Sequence, residues 1–203
     1  MNPTLILPKG RLYNDIQKFF QLKGFLLPDE NSRQYYFPNW FEECNLFIAK
    51  PKAIPQLLYS KMAEFAFCGN DIINNSDYNQ SIYPIYSTGL NKIKICLCSR
   101  LDKETLLHLK RPVIVASEFE IIASRYFTNL GVPHYIINTG GSTEGYLDLN
   151  VDCIIDVVDT GKTLKDNNIS IIDILFKSET TLFGHIELMD SWFPNVINKI
   201  IEV

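Results

Sequence analysis

The stretch CIIDVVDTGKTL, residues 153–164, decides the expected fold class and the first candidate site. Its opening residues 153–158 are mostly apolar, which predicts a strand buried on both faces, followed by a loop and then a helix or turn. At the carboxyl end of such a strand the backbone N–H groups of the Thr-Gly-Lys-Thr loop can gather around one anion, and Gly161 has no side chain to block a phosphate. Carboxylates accept hydrogen bonds from sugar hydroxyls, so Asp156 and Asp159 suit a ribose beside that phosphate. A plain strand-to-helix turn capped by Asp159 would explain the same residues.

Two other motifs share these residues. The sequence Gly161-Lys162-Thr163 resembles the end of a Walker A loop, but Asp156 stands where that motif has its first glycine, which excludes a P-loop NTPase. Asp159-Thr160-Gly161 is also the aspartic-protease triplet, but Lys162 follows it, and a cation there would disturb the proton shared by a catalytic dyad. An aspartic protease therefore stays a third hypothesis, which predicts inhibition by a statine-type peptide.

Composition excludes several classes of protein. The chain has 203 residues, 46% hydrophobic and 21% charged, as is typical of a globular protein with a sizeable core. The net charge of −4 argues against nucleic acid as the main partner. Pro3, Lys9 and Arg11 interrupt or follow the short apolar run at the N-terminus, so we expect neither a signal peptide nor a membrane span and assign a cytoplasmic location. The five cysteines are odd in number and mostly lie in apolar stretches, which favours reduced core thiols.

Short apolar runs alternate with helical patterns along the chain. Strands are predicted at residues 4–7, 45–49, 65–68, 92–98, 113–116, 134–137 and 169–176. The first three strands end at polar turns marked by Gly or Pro. In the first of these turns Lys9 and Arg11 flank Gly10, a pattern that fits either an anion-binding site or a solvent-exposed turn. Residues 80–92 could form a hinge, and residues 190–203 predict an amphipathic helix that docks on the core or on a partner. The alternation indicates an α/β architecture.

Several motifs occur together in a fixed order. They are Leu7-Pro8-Lys9-Gly10-Arg11-Leu12, Gly69-Asn70-Asp71-Ile72, Ala116-Ser117-Glu118-Phe119, Arg125-Tyr126-Phe127, Gly141-Ser142-Thr143-Glu144, and residues 156–164. Over nearly the whole chain this set resembles the ATP phosphoribosyltransferase family, the first enzyme of histidine biosynthesis. The resemblance implies a periplasmic-binding-protein-like α/β fold with two lobes of mixed sheet flanked by helices and the active site in the interlobe cleft. Lobe I would comprise residues 1–88 and 170–203, and lobe II residues 89–169 with the phosphoribosyl-binding loop.

The resemblance also implies a reaction. The family joins N1 of the adenine of ATP to C1 of the ribose of 5-phosphoribosyl-1-pyrophosphate (PRPP) with inversion, and it releases pyrophosphate. Mg²⁺ is needed with the substrate phosphates, and we assign no protein side chain to the metal. Because positive charge grows on the sugar and negative charge on the leaving group, we expect positioning and electrostatic stabilisation to carry the catalysis.

Site residues are carried over from the family by position. The expected PRPP-binding residues are Asp156 and Asp159 on the ribose hydroxyls, and Thr160, Gly161, Lys162 and Thr163 on the 5-phosphate. The expected catalytic cations are Lys9 and Arg11 on the pyrophosphate or triphosphate, Arg33 as a second phosphate contact, and Lys50. The expected nucleotide-binding residues are Gly10, Asp71, Ser142 and Glu144.

This sequence departs from the family at some of these places. Lys50 stands where an arginine is common, and a lysine delivers charge without the bidentate fork of a guanidinium. Asn70 replaces a more usual Lys or Tyr, and Glu120 replaces a common Pro. The length resembles the short form of the family, which implies a homodimer that works with a regulatory subunit related to histidyl-tRNA synthetase.

A second hypothesis comes from a different class of protein. A non-catalytic two-lobed binding protein that closes on a phosphorylated ligand would have a similar pattern of strands and loops. The acids beside the phosphate loop favour chemistry over simple binding. Tight binding of both substrates without turnover would favour the binding protein.

Overall fold

The computed structural model describes residues 2–29, 31–141, 143–158, 162–188 and 195–202. The chain forms two compact units, unit 1 from Met1–Lys92 with Glu179–Val203 and unit 2 from Ile93–Ser178. The elements are β1 (Thr4–Pro8), α1 (Arg11–Leu22), β2 (Tyr36–Phe41), β3 (Cys44–Ala49), α2 (Ile54–Tyr59), β4 (Phe65–Gly69), α3 (Asn70–Asn74), β5 (Ile82–Ser87), β6 (Ile93–Ser99), α4 (Lys103–Leu107), β7 (Val113–Ser117), α5 (Glu120–Asn129), β8 (His134–Asn138), β9 (Cys153–Val158), α6 (Lys162–Asp166), β10 (Ser170–Ser178), β11 (Thr180–His185) and α7 (Asn195–Ile201).

Unit 1 contains a six-stranded mixed sheet in the order β2-β3-β1-β4-β11-β5. β1 runs parallel to β3 and to β4, while β2 and β11 run antiparallel to their neighbours. Pro8 at the end of β1 pairs with Ala49 at the end of β3. The carboxyl ends of three strands therefore meet at one edge of the sheet, where the loops after them can share a ligand.

Two hydrophobic clusters hold this sheet from its two faces. Successive side chains of a strand point to opposite faces, so Leu5 and Leu7 join one cluster and Ile6 joins the other. On the first face α1 buries Tyr13, Ile16 and Phe20, which recur at helical spacing. This packing fixes β1 and α1 on either side of the turn that carries the first cations.

Unit 2 contains a five-stranded mixed sheet in the order β10-β6-β9-β7-β8. β7 runs parallel to β8 and β9, and β6 lies antiparallel between β9 and β10. Residues Cys153, Ile154 and Ile155 of β9 are fully buried, with Ile154 in one cluster and Ile155 in the other. The strand predicted to be buried on both faces is therefore confirmed, and so is the fold class of two α/β lobes with mixed sheets.

Several boundaries differ from those expected from sequence. Residues 170–178 belong to unit 2 because β10 pairs with β6, and residues 89–92 belong to unit 1. The interval predicted as a hinge contains β5, and the strand β11 was not expected at all. Of the expected terminal helix the structure describes α7, and residues 189–194 and 203 lie outside the described ranges.

The five cysteines agree with the expectation of reduced core thiols. All of them are buried and none forms a disulfide. Burial raises the pKa of the Cys44 thiol to about 11 and that of Cys98 to about 12, so both stay protonated near neutral pH. Within the described ranges no helix combines the length and hydrophobicity that a bilayer crossing requires.

Candidate active site

The carboxyl edge of the unit 1 sheet carries several cations. Lys9 directly follows β1, Lys50 directly follows β3, and the backbone N–H of Lys9 donates to the carbonyl of Ala49 across the two strands (2.7 Å). Arg33 comes shortly before β2, whose first residue Tyr36 pairs with Phe47 of β3, and so it enters the sheet from the same edge. We call Lys9, Arg11, Arg33 and Lys50 the cationic edge; the side chains of Arg11, Arg33 and Lys50 are exposed.

The N-terminus of α1 adds backbone groups to this edge. Gly10 is the N-cap of α1 with φ of 91°, a conformation that glycine adopts without strain, and no side chain caps the helix. Helix N-termini carry a partial positive charge and N–H donors that point outward. The N-terminus of α1 therefore lies at the cationic edge, and the anion-binding roles of Gly10 and Arg11 stay predictions.

Tyr35 lies beside Lys9 and was not among the predicted site residues. Lys9 Nζ is 3.3 Å from Tyr35 Oη and 5.0 Å from the centre of its ring. A phenol oxygen can accept from the ammonium group and still donate its own hydrogen to an anion. In the sequence, the pair of tyrosines that comes shortly after Arg33 is the feature that could have predicted this contact.

The third strand end of unit 1 carries Asn70 and Asp71. Asp71 lies in the first turn of α3, and its Oδ1 packs so closely over Gly69 that a Cβ added there would stand 2.3 Å from it. Asn70 Oδ1 is buried and has no hydrogen-bond partner among the described residues. The structure thus places Asp71 at the same sheet edge as the cations, with its carboxylate against its own turn.

The carboxyl edge of the unit 2 sheet carries Asp156 and the neighbouring acids. Asp156 Oδ2 accepts a hydrogen bond from the hydroxyl of Thr143, and its Oδ1 accepts from the backbone N–H of Val157 (2.6 Å). Burial raises the pKa of the Asp156 carboxyl above its ordinary value, and the negative charges of Glu144 and Glu118 raise it further. The two hydrogen bonds oppose this shift because they favour the charged form.

A glycine loop follows β8 at this edge. Gly140 has φ of 65° and Gly141 has φ of 136°, and both values favour glycine. The N–H of Gly140 donates to Asn138 Oδ1 (3.0 Å), which closes the turn. The loop leads to a 3₁₀ turn, Glu144–Leu149, so that Glu144 and Asp156 lie near enough to interact electrostatically.

Some predicted site residues are not described. Ser142, Asp159, Thr160 and Gly161 lie outside the described residues, so their roles stay predictions. Lys162 and Thr163 begin α6, and their contacts with a phosphate stay predictions. Among the residues that the structure describes there is no cluster of three His, Cys, Asp or Glu side chains that could hold a metal ion.

The fold and its two polar sheet edges define a two-unit α/β protein suited to a phosphorylated, sugar-containing ligand. In both units the polar residues occupy the ends of parallel strands, where ligands of open α/β sheets bind.

The chain belongs to the HisG: ATP phosphoribosyltransferase family, whose model matches residues 50–203. It is 29% identical over 172 residues to an ATP phosphoribosyltransferase of Brachyspira hyodysenteriae, covering 83% of this chain and 82% of that protein. It is 26% identical over 208 residues to an ATP phosphoribosyltransferase of Halothermothrix orenii, covering 97% and 92%. The catalytic hypothesis is thus confirmed over the non-catalytic binding protein, and the chain is a pentosyltransferase of histidine biosynthesis.

Solved structures agree with this at the level of fold. The chain superposes on a chain of the ATP phosphoribosyl transferase (HisG:HisZ) complex from Thermotoga maritima with a TM-score of 0.78 and 24% identity, covering 98% of this chain and 96% of that one. It also resembles XAC2383 from Xanthomonas citri, solved bound to ATP, with a TM-score of 0.55 and 9% identity over 98% of this chain and 80% of that one.

Proposed function

We propose a division of work for the reaction of ATP with PRPP. In unit 1 the cationic edge binds substrate phosphates, with Lys9, Arg11 and Lys50 on the pyrophosphate or triphosphate and Arg33 as a second contact. In unit 2 Asp156 and Asp159 bind the ribose hydroxyls of PRPP, and the adjoining loop of Thr160, Gly161, Lys162 and Thr163 binds its 5-phosphate. Gly10, Asp71, Ser142 and Glu144 contact the nucleotide.

The register of β1 with β3 carries the assignment in unit 1. Because Pro8 of β1 pairs with Ala49 of β3, the residues that follow these two strands, Lys9 and Lys50, lie side by side at the same edge of the sheet. Two positive charges at one edge repel each other, and an anionic ligand between them would offset that repulsion. A pyrophosphate or triphosphate has the charge and the span for such a role.

The chemistry needs little from the protein beyond charge and position. As the bond from ribose C1 to the leaving oxygen breaks, negative charge grows on the pyrophosphate, and cations held by two packed strands meet it without reorganisation. On the sugar side the carboxylate of Asp156 is oriented by two hydrogen bonds before any ligand arrives. Preorganised groups of this kind lower the barrier because their ordering cost is already met by folding.

Mg²⁺ fits this proposal as an ion held mainly by the substrates. Phosphate oxygens are the hard ligands that Mg²⁺ prefers, and the ion commonly keeps several waters with only one or two carboxylates. We assign no protein side chain to the ion. When bound, the ion would neutralise charge on the leaving pyrophosphate.

The proposal extends to partners and location. The Thermotoga maritima chain of similar fold was solved in a HisG:HisZ complex. We propose that this chain forms a homodimer and works with a regulatory subunit related to histidyl-tRNA synthetase, in the short-form arrangement. We also propose a cytoplasmic location.

Product formation tests the proposal directly. The chain is incubated with ATP, PRPP and Mg²⁺, with and without the regulatory subunit, and nucleotides are separated by chromatography. Lys9→Ala should lower turnover strongly, since it removes one preorganised charge contact. Lys18→Ala is the matched control, because Lys18 lies on the exposed side of α1 with 76% of its side chain accessible.

The outcomes separate the hypotheses. Turnover in the wild type, lost in Lys9→Ala and kept in Lys18→Ala, supports the division of work. Equal turnover in both variants would remove Lys9 from the phosphate site. Tight binding of both substrates without product, with or without the regulatory subunit, would argue for a binding protein.

A further inference from the structure

Thr143 is a fully buried polar residue between the glycine loop and β9. Its side chain has 0% exposure, and the N–H of Tyr146 donates to its carbonyl (3.0 Å), so the backbone around it is held. Its hydroxyl donates to Asp156 Oδ2, while the N–H of Val157 donates to Oδ1. Each carboxylate oxygen has two lone pairs, so each keeps one acceptor position after these bonds are made.

We propose that Thr143 is a positioning residue of the PRPP site, whose hydroxyl orients the Asp156 carboxylate and favours its charged form for the ribose hydroxyls. The inference rests on the proposed role of Asp156. It goes beyond that role because it gives a function to a residue that does not itself contact substrate. A valine of nearly the same shape could fill the same buried space, so packing alone does not require a hydroxyl at position 143.

The charges around Asp156 explain why such a bond is needed. Glu144 on the following turn and Glu118 after β7 both disfavour a second negative charge. On β6, Cys96 is the strand partner of Asp156 and Cys98 lies near it, and burial keeps both thiols protonated. The hydrogen bonds of Thr143 and Val157 oppose these charges, because both lower the pKa of the Asp156 carboxyl.

A purely structural role makes different predictions. If the hydroxyl only satisfies a buried polar pair, removing it would change stability and leave KM for PRPP and its dependence on pH as they are. If it holds the carboxylate in its charged form, removing it should raise the pKa of Asp156 and weaken PRPP binding at the acid end of the pH range.

The experiment compares Thr143→Val, Thr143→Ser and Asp156→Asn in the full chain. Thr143→Val deletes the hydroxyl at nearly constant shape, and Thr143→Ser keeps the hydroxyl and deletes the methyl. Thr128→Val is the control for the substitution itself, since Thr128 is exposed on α5 of the same unit. The readouts are the carboxyl ¹³C titration of Asp156, assigned through its loss in Asp156→Asn, and KM for PRPP and kcat as functions of pH.

In Thr143→Val we expect the Asp156 carboxyl to titrate at higher pH. We expect KM for PRPP to rise roughly tenfold or more, the effect of losing a hydrogen bond to a charged group. Thr143→Ser and Thr128→Val should follow the wild type in both readouts. Should Thr143→Val fail to fold, Thr143→Ser still decides: a wild-type titration and KM support the hydroxyl, and a shifted titration points to the methyl and overturns the proposal.

Two failures can be told apart. An unchanged titration in folded Thr143→Val overturns the positioning role while leaving the role of Asp156 intact. A wild-type KM for PRPP in Asp156→Asn refutes the role of Asp156 in the proposed function, and with it the positioning role.

Discussion

Substituting Asp152 or Asp156 by asparagine should affect stability and function in opposite ways. Asp152, just before β9, accepts two hydrogen bonds from the guanidinium of Arg111 (2.7 Å each) and one from the N–H of Ile114 (2.8 Å). Burial tends to raise the pKa of Asp152, but the bonds from Arg111 and Ile114 outweigh it and hold that pKa below 3.8. Asp156, inside β9, has its pKa raised by burial.

The magnitude for Asp152→Asn follows from its donors. An amide offers one acceptor oxygen in place of two, so at least one of the three donors loses its partner. We expect a loss of about 1–2 kcal/mol in the free energy of unfolding, the range for one lost bond to a charged acceptor at a partly buried site. The ion pair itself adds little, because 51% of the Arg111 side chain is accessible to solvent.

Asp156→Asn should leave stability unchanged or raise it near neutral pH. Burial penalises the carboxylate, and an uncharged amide avoids that cost. The amide oxygen can still accept from Val157 N–H, and the amide nitrogen can donate to the Thr143 hydroxyl. The cost should fall on function instead, as a higher KM for PRPP.

The pH dependence has opposite signs at the two positions. Because the pKa of Asp152 is lowered on folding, its stabilisation is present above its unfolded value near 3.8 and is lost as the pH falls through the folded value. Because the pKa of Asp156 is raised on folding, its contribution is most favourable below 3.8 and is lost as the pH rises through the folded value.

Urea unfolding near pH 7 and near pH 4, with steady-state kinetics near pH 7, measures all of these effects. Near pH 7 we expect Asp152→Asn to unfold at lower urea with KM for PRPP unchanged, and Asp156→Asn to unfold at the same or higher urea with KM raised. Equal destabilisation by both substitutions would refute the reasoning from burial and hydrogen bonding. If KM for PRPP rises in Asp152→Asn and not in Asp156→Asn, the ribose contact belongs to Asp152 and the proposed role of Asp156 is refuted.

Three further predictions follow from single contacts. If Lys50 contacts the leaving pyrophosphate, Lys50→Ala should lower turnover roughly a hundredfold to a thousandfold, whereas Lys50→Arg should keep or raise it. Steady-state rates of these variants and of Arg33→Ala show which of the two cations has the leaving-group role. Tyr126→Phe should lower the free energy of unfolding by about 0.5–1.5 kcal/mol in urea titration, because the phenol donates to Asp173 on β10 (2.9 Å). Gly69→Ala should displace the carboxylate of Asp71 and raise KM for ATP, and an unchanged KM would exclude Asp71 from the nucleotide site.

The sequence alone was sufficient for the local features of this protein. Apolar runs such as residues 4–7, 65–68 and 113–116 form strands. A strand buried on both faces needs consecutive apolar residues, so the sequence of the run is enough to predict it. The polar turns that follow those runs lie at the edges of the sheets, because the buried strand ends where the apolar run ends. The order of the motifs in the sequence also led to the family. In the structure Lys9 and Gly10 follow the end of β1, and Asp71 lies in the helix that follows β4.

Tertiary structure decided what depends on contacts between distant residues. β11 begins with two threonines and carries no distinctive pattern, yet it lies between β4 and β5, because pairing across more than ninety residues satisfies its backbone. The pairing of β10 with β6 moved residues 170–178 into unit 2. The contact of Thr143 with Asp156 is likewise set by the packing of the glycine loop on β9, so no local spacing reveals which hydroxyl will face the carboxylate.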